Sequence, residues 1–201
     1  MKIEKERVVT EALSLLDDVG LDHLTTRKLA ERLCVKQPTL YYHFKNKQVL
    51  VDAMNARILA ASHTYRLPAE GDDWRSYLFA NAKSFRGALL SHRDGARVHA
   101  GSLAAEPDLP MAEAQLRILA EAGFAADLSL QILVTLSRFT VGSVLEEQAE
   151  KANPPPVKGP SLTKFPHLEV AYAQYWGGTH EANFVAGLNL ILSGAESRFV
   201  R

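Results

Sequence analysis

A single cysteine, Cys34, stands among 201 residues, so no intrachain disulfide is possible and a reducing, cytoplasmic setting is expected. Charge of either sign is not in excess: 23 Lys and Arg face 23 Asp and Glu. No basic-then-apolar leader opens the chain, because MKIEKERVV runs straight into an amphipathic pattern. The most apolar stretch, Leu128 to Leu145, is interrupted by Gln131 and Arg138. It falls short of the ~18 uninterrupted apolar residues of a membrane span, and a buried helix is expected there. HExxH, GxSxG and phosphate-cradling glycine loops are missing, and there is no second cysteine for zinc. An enzyme is therefore not expected, although a hydrolase using His99 and Glu146 stays formally open.

What is present is helical. Ala and Leu dominate, β-branched runs are few, and apolar residues recur at helix spacing almost throughout, which predicts an all-α fold. The organising stretch is TTRKLAERLCVKQPTLYYHFKNK, residues 25–47, which scans as two short helices joined by a tight turn. Thr25 or Thr26 caps the first, Cys34 and Val35 fill the turn, and Pro38 suits the opening of the second, where its missing N–H costs nothing. Leu40 points inward with Val35 and Phe44, leaving Lys36, Gln37, Thr39, Tyr41, Tyr42 and His43 to face outward. Over residues 26–47 six basic residues oppose only Glu31, a local excess of positive charge that whole-chain neutrality hides. Donors, acceptors and flat rings beside lysines suit DNA.

Before this stretch, Val8, Ala12, Leu15 and Leu16 define a supporting helix from about Ile3 to Asp18, with Gly20 as its C-terminal cap. After it, a long helix to about Tyr65 has Leu50, Ala53, Met54, Ile58 and Ala61 as its inner face and leaves the head as a lever. Helices follow from Trp74 to about Ser91, from about Ala96 to Ala100, and from Ala112 to Ala122, closed by Gly123. The end at Gly101-Ser102 is weakly committed to helix, since Gly costs ~1 kcal/mol relative to Ala there. Two further helices, about 126–151 and 180–199, carry apolar stripes wider than a monomer needs, with Gly142-Ser143 permitting close approach. They predict a homodimer through a four-helix bundle. The Pro-rich linker from Asn153 to Pro160 breaks the pattern between them. The expected organisation is a three-helix head over residues 1–47, a connecting lever helix over 48–67, and a ligand-binding and dimerisation body over 68–201.

Several polar residues in the body stand out: His63, Asn81 with Phe85, His99 and Ser102 around Gly101, Gln115 and Glu146. Spacing alone does not show that they converge. The segment LTTRKLAERLCVKQPTLYYHFKNK, together with WRSYLFANAKSFRGALLSHRDGARVHAGS, AEAQLRILAEAGF and RFTVGSVLEEQ, resembles the TetR family over about three quarters of the chain. The resemblance implies a homodimeric repressor that binds a palindromic operator, releases it when a magnesium-chelated tetracycline enters the body, and so controls a drug efflux or resistance gene. It assigns Thr26, Arg27, Lys36, Gln37, Pro38, Thr39, Tyr41, Tyr42, His43 and Lys47 to double-stranded operator DNA. His63, Asn81, Phe85 and Gln115 would hold the effector, with Leu103, Leu130, Leu133 and Arg138 beside it. His99 would be the direct ligand to Mg²⁺, and Ser102 and Glu146 would hold its waters.

The chain departs from the family pattern at named positions. Lys36 stands where Glu or Gln is usual and Tyr42 where Trp is usual, which bears on the operator read. Cys34 replaces a turn glycine. Ser102-Leu103-Ala104 replaces Thr-Arg-Pro, and Arg138 stands where His is frequent, which bears on the effector. The alternative readings are a repressor for a different planar or chelating compound, and a small-molecule binding protein or hydrolase with a vestigial head.

Overall fold

The computed structural model describes residues 3–102, 108–154 and 161–199. Among these residues the chain forms ten α-helices and no strand. Leu103, Ala104, residues 155–160 of the linker and the side chain of Phe199 lie outside the described set.

Helix α1, Lys5–Val19, buries Val8, Ala12, Leu15 and Leu16 and stops at Gly20, whose φ of 78° a residue with a Cβ would resist. Helices α2, Thr26–Arg32, and α3, Gln37–His43, follow. Thr25 caps α2 by accepting the Lys28 N–H at 3.2 Å, a contact of the kind worth ~1 kcal/mol. Pro38 occupies the first turn of α3, and Leu40 is its buried residue. Cys34 does not fill the turn between them: it is exposed, with φ 53°. A left-handed non-Gly residue costs ~1–2 kcal/mol, which the packing of Leu33, Leu40 and Phe44 on either side must offset.

Helix α4, Lys47–Ser62, ends three residues earlier than the apolar pattern suggests, with His63 at its cap, and leaves Ala61 exposed. Its buried residues Leu50, Val51, Met54 and Ile58 belong to the same apolar core as α1–α3, so it is packed into the head rather than departing from it. That core also takes in Ala88 from α5, Trp74–Leu90, and Val98 from α6, Gly95–Ala100. Gly95 is obligatory, since a Cβ there would lie 2.2 Å from the Leu89 carbonyl oxygen.

Helix α7, Leu109–Glu121, begins before the expected Ala112 because Pro110 tolerates its first turn and Asp108 caps it through the Met111 N–H at 3.2 Å. Helix α8, Ala126–Ala152, is long and apolar enough on average to cross a membrane, a match in length and composition that core helices also make, and Gln131 and Arg138 interrupt its apolar run. Nor is it buried all round: Ile132, Leu136 and Val144 face the core, while Leu130 and Val134 are exposed. Helix α9, Pro166–Trp176, has no counterpart in the sequence reading, and none of its residues is buried. Helix α10, His180–Phe199, buries Phe184, Leu188, Leu192 and Ala195 in a core shared with α5 and α8. Close approach there depends on Gly187, where a Cβ would meet the Phe139 ring at 2.6 Å, whereas Gly142 faces open space.

Candidate effector cavity and nucleic-acid interface

The head presents α3 outward. Tyr42 is 83% exposed, and Tyr41, Lys36, Pro38 and Lys47 are exposed as well. Thr26, Gln37, Thr39 and His43 are half-buried along the same stretch. Gln37 Nε2 donates to Thr26 Oγ1 at 2.8 Å, tying the start of the second helix to the start of the first. Tyr42 meets His43 edge-on, with ring centroids 5.3 Å apart. The basic excess of the sequence is partly committed internally. Arg32 pairs with Glu11 and Asp18 on α1, and Arg27 pairs with Glu31 at 3.0 Å. Exposed Lys28, Lys36, Lys45 and Lys47 carry the remaining positive charge. A protruding helix with an amide near its N-terminus, two tyrosines and flanking lysines has the donors, acceptors and charge that a major groove and its phosphates call for.

Beneath the head, the end of α4 and helices α5, α6, α7 and α8 enclose a cavity of about 190 Å³. The structure brings His63, Asn81, Phe85, His99, Gln115 and Leu133 into its lining. Phe85 lies between the two histidines, its ring 5.5 Å from that of His63 and 5.0 Å from that of His99. His63 Nδ1 is 3.0 Å from Ser84 Oγ, Asn81 Nδ2 donates to the Tyr65 carbonyl at 2.8 Å, and Gln115 Nε2 donates to the Arg66 carbonyl at 3.3 Å. Burial is the largest influence holding the His63 imidazole neutral, with help from the charge of Arg66 and from His99, and its pKa falls to about 4. Burial lowers that of His99 as well.

Other expected residues are elsewhere. Leu130 is 54% exposed on α8 and does not reach the cavity. Arg138 and Glu146 line a separate surface cleft with Arg86 and Glu150, because they project from a different side of α8 than Leu133 and Leu136. Ser102 is next to His99 without lining the cavity, and Leu103 lies outside the described residues. The sequence reading passed over Arg66, Met111, Ser137 and Thr140, all of which line the cavity. Arg66 directly precedes Leu67-Pro68, where a loop end gave no periodic signal.

The surroundings of His99 test whether a cation fits. Ser102 Oγ donates to the His99 carbonyl at 3.0 Å, which spends its proton, so it accepts from Asn55 Nδ2 at 2.9 Å. That fixes the Asn55 amide with Oδ1 toward His99 Nδ1, 3.1 Å away, and Nδ1 must carry the hydrogen. Nε2 keeps the free lone pair, in a ring that burial holds neutral. Among the described residues no group of three or more His, Cys, Asp or Glu could hold a metal. One oriented imidazole without a protein cage suits a cation that arrives with its own oxygen ligands and waters.

A helix-turn-helix that presents α3 outward, joined to a helical body with a cleft lined by histidines, amides and apolar side chains, is the architecture of a ligand-responsive helix-turn-helix regulator. Residues 8–54 match the family described as "Bacterial regulatory proteins, tetR family", and residues 67–199 match "Tetracyclin repressor-like, C-terminal domain". The chain belongs to the TetR family. The tetracycline repressor protein class C of Escherichia coli is 48% identical over 97% of this chain and 91% of its own length. The solved TetR from Acinetobacter baumannii AYE is 44% identical, with a TM-score of 0.84 and 98% of each chain covered. The structure of TetR(class A) in complex with 5a,6-anhydrotetracycline and magnesium is 43% identical, with a TM-score of 0.76 over 97% of this chain and 99% of that one.

Proposed function

We propose that this protein is a homodimeric transcriptional repressor, acting in the cytoplasm, which leaves a palindromic operator when a tetracycline–magnesium complex occupies the cavity. The observation that carries the reading is the cavity itself. Two neutral histidines flank one phenylalanine, two carboxamides complete the polar rim, and α6 connects this lining to the core of the head. In the division proposed here, residues 1–47 read DNA, 48–67 connect, and 68–201 bind effector and partner.

At the operator, Gln37 suits the N6 and N7 edge of adenine, Arg27 and the lysines suit guanine or phosphate, and Thr26, Thr39, Tyr41, Tyr42 and His43 provide further phosphate and methyl contacts. Lys36 cannot accept a hydrogen bond from cytosine, so it favours an acceptor-rich base edge or phosphate. In the cavity, Asn81, Gln115 and His63 orient the effector's oxygens, Phe85 and Leu133 cover its flat faces, and His99 offers Nε2. His99 would hold the magnesium ion that arrives with the effector, and the ion would supply positive charge for the effector's oxygens. The exposed apolar residues Leu130 and Val134 on α8 and Leu190 on α10 support burial against a second copy.

A cavity of about 190 Å³ is smaller than the ~300–1,000 Å³ of a drug-sized site. In this reading, effector entry widens the cleft by displacing lining elements. The contacts of α6 support a route toward the head: Gln48 on α4 donates to the Gly101 carbonyl at 2.7 Å, and Asn55 holds both His99 and Ser102. These contacts lie nearer the DNA-reading end of α4 than His63 does. A dimer reads half-sites about one helical turn, ~34–36 Å, apart, so a small change in head separation prevents simultaneous docking. Fluorescence anisotropy of a labelled palindromic operator tests the proposal. Release by tetracycline with Mg²⁺, but not with chelator, is expected; unchanged anisotropy under both conditions contradicts it.

A further inference from the structure

Arg66 is the one Arg, Lys, Asp or Glu in the cavity lining among the described residues, beside two histidines, two amides and two hydroxyls. Its backbone is pinned by the helices around it. The Arg66 carbonyl accepts from the fully buried Tyr77 hydroxyl at 2.9 Å and from Gln115 Nε2 at 3.3 Å. Its side chain is only 35% exposed, and Nη2 stands 3.5 Å from Asp108 Oδ2, a long contact with a carboxylate that is itself 49% exposed. Asp108 already has its other oxygen committed to capping α7. Arg66 is thus a positioned cation at the cavity wall, weakly held by an acid that water can solvate in its place.

We propose that Arg66 is a specificity-determining residue that takes an anionic, two-oxygen group of the effector, an enolate or carboxylate, exchanging Asp108 for it. This rests on the reading of the cavity as the effector site and adds a charge requirement to it. A planar guanidinium offers paired N–H donors that match two oxygens of a delocalised anion, which neither His63 nor Asn81 can do. Tetracycline meets the requirement through the enolate of its tricarbonyl ring. A neutral compound of the same outline would leave the guanidinium facing it without compensation, so the cavity rejects such compounds.

The test uses the full-length protein, Arg66→Gln and Arg66→Lys, with three probes: tetracycline with Mg²⁺, anthraquinone-2-carboxylate and anthraquinone-2-carboxamide. Operator affinity without effector, equal in all three proteins, shows that the variants are folded. The expected result is a tetracycline Kd at least tenfold weaker in Arg66→Gln and within about threefold of wild type in Arg66→Lys. Added salt should weaken tetracycline binding in wild type more than in Arg66→Gln. The carboxylate should bind wild type at least tenfold more tightly than the carboxamide, a preference lost in Arg66→Gln. No tetracycline binding together with a carboxylate preference that Arg66→Gln abolishes would sink the tetracycline reading and uphold the role of Arg66. Equal tetracycline affinity in wild type and Arg66→Gln would overturn the role of Arg66 and leave the tetracycline reading intact. Failure of all three probes to bind wild type would overturn both.

Discussion

Val98 and His99 are consecutive on α6, yet Val98 is buried in the apolar core that holds α1 to α4 and His99 lines the cavity. A six-residue helix thus has one side chain in the apolar core shared with α1–α4 and the next in the cavity wall. Movement of one carries the other, because a single helical turn is too stiff to absorb it between adjacent residues.

Val98→Ala should therefore separate binding from response. The lost methyl groups cost ~1–3 kcal/mol of stability, readable as a lowered midpoint in urea. Effector affinity should stay within a few-fold of wild type, because His99 and its partners are untouched, while more effector is needed to release operator. Equal release curves for variant and wild type would show that the α6 contact with the head does not transmit the signal.

Asn55 sets the tautomer of His99 from the connecting helix. Asn55→Leu removes the acceptor for the Nδ1 hydrogen and should reduce magnesium-dependent effector affinity ~10–100-fold, as loss of an outer-shell partner does at other metal sites. Calorimetric titration with and without Mg²⁺ measures it. A loss equal in both conditions would assign Asn55 to general packing rather than to the imidazole.

On the DNA side, Gln37→Ala should cost ~1–3 kcal/mol at one base pair and relax selectivity there. Lys36→Ala, if its ammonium contacts phosphate, should weaken binding evenly across sequences and reduce the salt slope by ~1. Competition binding over a set of single-base operator variants at several salt concentrations distinguishes the two patterns. Sequence-independent loss for Gln37→Ala would remove that residue from base reading.

The pH dependence follows from His63. Its folded pKa, about 4, lies below its ordinary value of 6.5, so the unfolded chain binds more protons between the two. Stability is fully present above about pH 6.5 and declines as pH falls toward 4. The shift at His99 has the same direction and acts in the same sense. His63→Gln should flatten the decline over this window in urea melts recorded at successive pH values. An unchanged slope would place the acid sensitivity elsewhere.

Much of the fold is legible in the amino-acid pattern because helix ends have local chemistry. Gly20, Thr25, Pro38 and Gly123 mark boundaries that the structure retains. Helix α9 escaped that reading because its apolar residues face outward, leaving no one-sided stripe to find. The cavity lining was legible where residues match the family pattern, and not at Arg66, which lies in the loop after α4 where there is no helical period to read. Leu130 and Arg138 were misplaced for another reason. They share α8 with Leu133, but at 100° per residue small differences in position decide which side of a helix a residue occupies.

The central claim, that a metal-chelated tetracycline is read through His99, is tested most directly by tetracycline fluorescence on the purified protein with Mg²⁺ and then with excess chelator at fixed salt. The account predicts a strong, magnesium-dependent enhancement that disappears in His99→Ala while operator binding persists. No enhancement at micromolar protein, or an enhancement that neither chelator nor His99→Ala alters, would contradict it.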